Sequence, residues 1–526
     1  MGSRACAASA LAVAALAAYG LVGLTPTALA AGPAKPYDFN GDGFRDVALG
    51  SPYGTVGTVA NAGFVTILYG SASGTSAAKK QVVSQSSAGV AGSSEAGDHW
   101  GYSVASADFD GDGYADLAVG APEEDYAYTA DDGTAATATD GGGITVIYGS
   151  PSGLSATSVW LAEPKDPEGN NKGPGNGHRL GLTLAAGDFD KDGTPTLVAS
   201  SPGAATFYEL TVPAKPTAAQ LKTLLAKPAK AAFTAHKITP SADPSAKAAK
   251  AGTLAAAADP TTKLDWISFV TGDVTGDGFD DVAMGWADDD VSPYQFGVTV
   301  YPGGAQPFVD TAGTVPLVEL GDVATGDFDG DGHADVAVSA PSDAKAFGGL
   351  ITVYRGAAAG IDEASAYSIS QDTAGVPGGG EAGDRFGYSI AAGDANGDGK
   401  ADLAVGAPSE DIGTIADAGG TWMLYGSASG LTGTGAGSCT QDSTGVPGAA
   451  EKSDRYGWSV AMADTNGDGD AEMVSSAPFE NGSEGYALIL PGSATGTHLS
   501  GLVAYDAPSL GLSGQSANLG IRLNRT

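Results

Sequence analysis

Seven short acidic loops hold the residues in this 526-residue sequence whose type and spacing could do chemistry. They begin at Asp38, Asp108, Asp188, Asp273, Asp327, Asp394 and Asp464. The second reads Asp108-Phe-Asp110-Gly-Asp112-Gly-Tyr114-Ala-Asp116. Oxygen-bearing residues at loop positions 1, 3, 5 and 9, with Gly at 4 and 6, suit a hard cation wrapped by a turning backbone. The candidate side-chain ligands of the first two loops are Asp38, Asn40, Asp42 and Asp46, and Asp108, Asp110, Asp112 and Asp116. The third and fourth loops offer Asp188, Asp190 and Asp192, and Asp273, Thr275, Asp277 and Asp281. The last three offer Asp327, Asp329, Asp331 and Asp335; Asp394, Asn396, Asp398 and Asp402; and Asp464, Asn466, Asp468 and Glu472. Position 7 would give a backbone carbonyl, from Phe44, Tyr114, Thr194, Phe279, His333, Lys400 and Asp470.

This donor set favours calcium, which accepts many flexible oxygens, over magnesium, which demands a rigid octahedron and keeps its waters. Up to seven calcium ions are expected. An EF-hand would need Glu at position 12 and flanking helices. Here position 12 is Leu49, Val119, Ala199, Met284, Val338, Val405 or Ser475, and the flanks read as strands. A tight acidic turn without an ion is the alternative. It weighs most on the Asp188 loop, where Pro195 and Thr196 stand at positions 8 and 9, and next on the Asp273 loop, with Thr275 at position 3.

Three kinds of segment recur around the loops. A short strand precedes the loop, as in His99–Val104, Arg179–Leu184, Arg385–Ile390 and Arg455–Val460. An apolar strand follows it, as in Asp46–Gly50 and Asp402–Gly406. Then comes an alternating strand closed by Gly, as in Phe64–Gly70, Ile144–Gly149, Leu350–Gly356 and Trp422–Gly426. A more polar fourth strand is expected near Lys80–Ser84, Ser158–Leu161 and Ala366–Ser370. Four strands per repeat, at loop spacings of 54 to 85 residues, fit one propeller blade each. The expected fold is all-β, a seven-bladed β-propeller of four-stranded blades. Gln515–Leu523 resembles Gly177–Leu184, so the C-terminal strand is expected to join the first blade and close the ring. An Ala/Lys/Pro-rich stretch at about 213–258 reads as a surface excursion, with Thr217–Leu225 able to form helix.

Composition bounds the functions. Arg4, the apolar run Ala5–Leu24, Thr25-Pro26 and Ala28-Leu29-Ala30 read as a secretory signal over 1–30, so the propeller spans 31–526 and a secreted location is expected. A transmembrane anchor is the alternative for that run; elsewhere no membrane span is expected. Cleavage would leave Cys439 as the only cysteine and no intrachain disulfide. The net charge of −36 argues against nucleic acid or anionic lipid as partners, and the acidic loops hold much of that charge.

Phe386-Gly387, the Asp394 loop and Gly406-Ala407-Pro408 resemble the FG-GAP repeat of the integrin α-subunit N-terminal domain. Trp100-Gly101 with Gly120-Ala121-Pro122, and Tyr456-Gly457 with Ala477-Pro478, repeat the pattern. The resemblance implies a seven-bladed propeller with calcium in loops on one face. It also implies an adhesion or ligand-binding role, with a protein or glycan ligand on the opposite face. The loops there include Glu123–Asp140, Asp288–Asp290 and Ser409–Asp417, whose acidity suits a cationic or metal-bridged ligand. Trp266 and Leu320 stand where two repeats would carry the glycine of the Phe-Gly pair. The calcium is read as structural and the chain as a monomer.

The same repeats occur beside hydrolase domains of the glycosylphosphatidylinositol phospholipase D type, which is one alternative; a purely structural surface protein is another. No catalytic residue is expected. The five His residues form no His-x-x-x-His pair, and no Gly-x-Ser-x-Gly elbow occurs.

Overall fold

The computed structural model describes residues 34–129, 133–163, 175–204, 206–216, 235–238, 264–288, 295–308, 311–342, 348–361, 363–512 and 516–524. It is an all-β, seven-bladed propeller of four-stranded antiparallel blades. Blade 1 is ordered Lys80–Val83, Phe64–Leu68, Val47–Ser51 and, innermost, Arg522–Leu523. In blades 2 to 7 the innermost strand is the first in sequence: Ser103–Ala107, Leu184–Gly187, Leu264–Gly272, Val323–Gly326, Ser389–Gly393 and Val460–Ala463. The chain's last strand thus supplies the position that blade 1 lacks, pairing Leu523 with Leu49 and Arg522 with Gly50.

Seven apolar clusters hold the ring, and each spans two neighbouring blades. One joins blade 7 to blade 1 through Ala461, Val474 and Ile489 against Val47, Leu49 and Phe64. Both faces of the second strand are therefore covered, and Asp116–Ala121, Asp402–Ala407 and Glu472–Ala477 are buried at every residue. This explains why these strands read as continuous apolar runs rather than as an alternation. A closed ring of this kind leaves only short edges for other chains to pair with.

Two expectations need correction. The aromatic-Gly pair is not in the inner strand but just ahead of it: the strands start at Ser103 and Ser389, and Trp100 and Phe386 are fully buried wedges between blades. The cause is backbone conformation, since φ is +53° at His99 and +92° at Gly101, outside the extended region. The stretch 213–258 is not all excursion, because Ala235–Ile238 pairs with Thr206–Leu210 as the outer strand of blade 3. Thr217–Leu225 lies outside the described residues. Glu123–Asp140 contains a hairpin, Tyr126–Thr129 with Ala135–Ala138. Among the described residues no helix is long and apolar enough to cross a membrane.

Candidate metal centres

Six of the acidic loops connect an inner strand to the second strand of their blade, and the Asp38 loop leads into the second strand of blade 1, so antiparallel order puts all seven at one end of the ring. The loops share one internal scheme. The position-1 carboxylate accepts the N–H of position 6: Gly43 to Asp38 at 2.9 Å, Gly113 to Asp108 at 3.0 Å, Gly332 to Asp327 and Gly399 to Asp394 at 2.8 Å. The position-5 carboxylate accepts the N–H of position 7, as from Tyr114 to Asp112 at 3.2 Å. These bonds curl the backbone so that carboxylates converge. Asp108, Asp110 and Asp112 bring ligand atoms within 4.8 Å of one another, as do Asp188, Asp190 and Asp192, and Asp327, Asp329 and Asp331. Each trio could hold a metal ion.

The two loops that the sequence leaves most open carry a further sign. Asp188 Oδ1 and Asp273 Oδ1 are buried oxygens without a hydrogen-bond partner, the state a cation would relieve. Thr196 does not join its loop's acidic trio; its hydroxyl donates to Glu209 at 3.0 Å. Asn466 is tied to Glu472 by a 2.8 Å hydrogen bond. Thr275 keeps a buried, unpartnered hydroxyl oxygen. Basic side chains reach carboxylates in three loops: Lys215 lies 3.4 Å from Asp112, Lys400 lies 3.5 Å from Asp398, and Arg355 pairs with Asp329.

Position 9 has a second role that spacing alone does not reveal. Asp116 is buried, and its oxygens accept the N–H groups of Phe109 at 3.0 Å and Gly149 at 2.8 Å. Asp46, Asp335 and Asp402 make the same pair of bonds, to Phe39 and Gly70, Phe328 and Gly356, and Ala395 and Gly426. Each pins its loop to the end of the third strand. A carboxylate has lone pairs left for an ion after two such bonds.

Burial sets the protonation of these pins. Desolvation, opposed by the backbone donors and assisted by nearby loop carboxylates, raises Asp46 and Asp116 to about 8 and Asp335 and Asp402 to about 7. An acid raised in the folded state keeps its proton longer there than in the unfolded chain. The stability it contributes is then full below the unfolded value near 4 and is lost as pH rises through 7 to 8. The ion-free chain should therefore melt at a lower temperature at pH 8 than at pH 5. A bound cation replaces the proton, so metal should reduce or reverse that slope in a melting series over pH.

The loops also touch one another around the ring. At five positions the position-7 side chain lies over the position-4 glycine of the preceding loop, and a Cβ on that glycine would meet it; at Gly111, in the second loop, a Cβ would meet nothing within 4 Å. At Gly41 it would come 2.8 Å from the Tyr114 ring, at Gly330 3.2 Å from Lys400, and at Gly397 2.3 Å from Asp470. Phe44 of the first loop lies over Gly467 of the last, where a Cβ would lie 2.8 Å from its ring. In the third loop, Lys191 replaces the glycine and stands over the Phe279 ring.

At the other end, the segments before the inner strands gather a basic and aromatic patch. Arg385 stands over Tyr388, Arg455 over Trp458 and Phe479, and Arg522 over Tyr102. Tyr388 and Trp458 are in ring contact at 4.7 Å. Arg179 lies 3.6 Å from Glu123. Four of the chain's eight arginines are thus on this side. The acidity of the longer loops hides this patch in the sequence, where its one signal is the basic residue before the Gly-containing pair, as at Arg179, Arg385 and Arg455.

The FG-GAP repeat family matches residues 100–147, 321–354, 386–423 and 456–490, and an FG-GAP-like repeat matches 38–119. Phosphatidylinositol-glycan-specific phospholipase D of Rattus norvegicus is 34% identical over 176 residues, which is 32% of this chain and 20% of that protein. The Mus musculus protein of that name is 33% identical over 176 residues, with the same shares. The chain therefore matches about a fifth of these relatives' length. The repeats, the acidic loops and the ring of blades agree: the chain is a seven-bladed β-propeller that carries FG-GAP repeats at these positions.

Proposed function

We propose that this chain is a secreted calcium-binding propeller that acts as an adhesion or ligand-binding module. The observation that carries the calcium reading is the convergence of carboxylates in the oxygen-rich loops, as at Asp108, Asp110 and Asp112. Calcium at Asp108-Asp110-Asp112 would offset the repulsion of converging carboxylates and fix the loop against its neighbours. The chemistry is hard-ion coordination by oxygens, and the ion's role is structural.

The ligand surface is the basic and aromatic patch on the opposite face. Guanidinium groups already set over rings are preorganised to take carboxylate or sulfate groups by charge-assisted bonds. The ligand is therefore a protein or glycan that carries such groups, rather than the cationic ligand suggested by the acidic loops. Replacing Arg385 and Arg455 together by Ala should weaken retention on an immobilised acidic polysaccharide by roughly tenfold or more. Unchanged retention, with melting temperature preserved, would count against this surface.

The similarity to the phospholipases favours a second reading, a propeller that works with a hydrolase. Release of a phosphatidylinositol-glycan-anchored protein from membranes by the purified chain would support it.

A further inference from the structure

Three blade junctions contain the same buried polar pocket away from the acidic loops. Its sequence mark is Gln-x3-Gly-Val-x-Gly-x2-Glu-x2-Asp, at Gln85–Asp98, Gln371–Asp384 and Gln441–Asp454. A further glutamate from the turn after the second strand completes it: Glu124, Glu410 or Glu480. In each pocket the Gln amide donates to that glutamate, at 2.6, 2.9 and 2.7 Å respectively. In each, the Asp accepts the backbone N–H of the motif's glutamate, at 2.6, 2.6 and 2.7 Å. In each, the Gln Oε1 has no hydrogen-bond partner, although Gln85, Gln371 and Gln441 are only 3%, 2% and 2% exposed. At the junction of blades 5 and 6 the free oxygen points into the acidic group. A Cβ built on Gly348 would lie 3.1 Å from Gln371 Oε1, 3.0 Å from Asp384 Oδ2 and 2.9 Å from the Glu381 carbonyl oxygen.

Two other junctions show what the pocket requires. The strand pairs Val65–Val83, Ile144–Leu161 and Ala487–Tyr505 are equivalent, so Gln85 corresponds to Glu163 and to Ala507. Between blades 2 and 3, His178 replaces the Asp and Ala204 replaces the last glutamate. There Glu163 takes a 2.6 Å bond from the His178 ring, with Tyr208 at 2.9 Å. Between blades 7 and 1 the three positions are Ala507, Ala517 and Gly54, with no side-chain polar atom at all. In neither of these two junctions is the full acidic set present. Where it is reduced to one carboxylate, a side chain able to carry positive charge comes with it.

We propose that each of the pockets Gln85–Asp98–Glu124, Gln371–Asp384–Glu410 and Gln441–Asp454–Glu480 binds a hard divalent cation, calcium, in addition to the loop ions. The donors are all oxygens, which suits that ion. The neighbours bearing on Glu410 are Asp384, Glu381 and Asp411, and those on Glu480 are Asp454 and Glu451. Asp98, Asp384, Asp454, Glu124 and Glu480 are buried and Glu410 is half-buried; such carboxylates beside an unpartnered carbonyl oxygen are costly unless a cation or a proton joins them. Burial and these acids push Glu124 up to about 8 and Glu410 and Glu480 to about 7, the direction expected of sites that lack their counter-charge.

The test rebuilds one pocket on the plan of its His-containing equivalent. The full chain carrying Gln371→Glu, Asp384→His and Glu410→Ala should fold, because the ring already holds such a pocket. Native mass spectrometry in calcium should then count one ion fewer than in the parent chain. Glu410→Gln alone should weaken the same ion, seen as loss of one calcium at lower concentration. In crystals soaked with a lanthanide, anomalous scattering should appear between Gln371, Asp384 and Glu410 of the parent. Equal ion counts in parent and rebuilt chain would overturn the proposal, as would lanthanide peaks at the loops and none at the junctions. Loop ions are counted in the same spectra, so loss of the loop reading would be seen separately.

Discussion

Chelating calcium should lower the melting temperature of the purified chain by roughly 15 °C. The size follows from mass action. An ion present at 100 times its dissociation constant adds about 2.7 kcal/mol per site to the folded state. Extracellular calcium modules bind at roughly 10⁻⁴–10⁻³ M, so calcium at about 10–100 mM reaches that ratio and a chelator empties the sites. Five well-formed loops would together supply on the order of 13 kcal/mol, which over a chain of this length is a shift of that order. The loops touch side chain to glycine from Gly41 to Tyr114 and from Gly467 to Phe44, so emptying one loosens the next. Scanning calorimetry with and without chelator is the measurement. A melting temperature unchanged by chelation would show that the acidic turns stand without ions.

Asp116→Ala should be the most damaging single loop substitution in blade 2, at about 3–5 kcal/mol. The change removes a possible ligand and also strands two backbone donors, Phe109 N–H and Gly149 N–H, at a buried position. Each orphaned buried donor costs about 1–3 kcal/mol. Asp192→Ala offers a contrast. Asp192 is exposed and its oxygen holds one exposed N–H, that of Thr194, so its loss should cost under about 1 kcal/mol in the absence of ion. Denaturant unfolding of both variants in chelator separates the pin from the ligand role. Equal small losses in the two would mean that position 9 acts only through a metal.

Much of the fold was legible because the chain repeats itself. A run such as Asp402-Leu-Ala-Val-Gly406 can only be a strand covered on both faces, and seven such runs after seven acidic loops count the blades. The acidic loops were legible for the same reason, since hard-ion donors must recur at fixed spacing. The aromatic-Gly pair was misplaced because its aromatic residue looks like strand; only positive φ at His99 and Gly101 shows that the chain turns there. The outer strand Ala235–Ile238 was hidden in an Ala/Lys-rich stretch, because an edge strand needs little apolar pattern when one neighbour directs it.

The sequence by itself determined the repeat, the number of blades, the oxygen donors and the strand that closes blade 1, because each depends on local spacing. Tertiary structure decided what lies between repeats. It showed that position 9 is a buried pin to the third strand, that position-7 side chains link five neighbouring pairs of loops, and that arginines from separate blades share one face with aromatic rings. It also brought Gln371, Asp384 and Glu410 into one pocket from two blades. Spacing within one blade cannot encode a contact made across a junction; only closing the ring sets those distances.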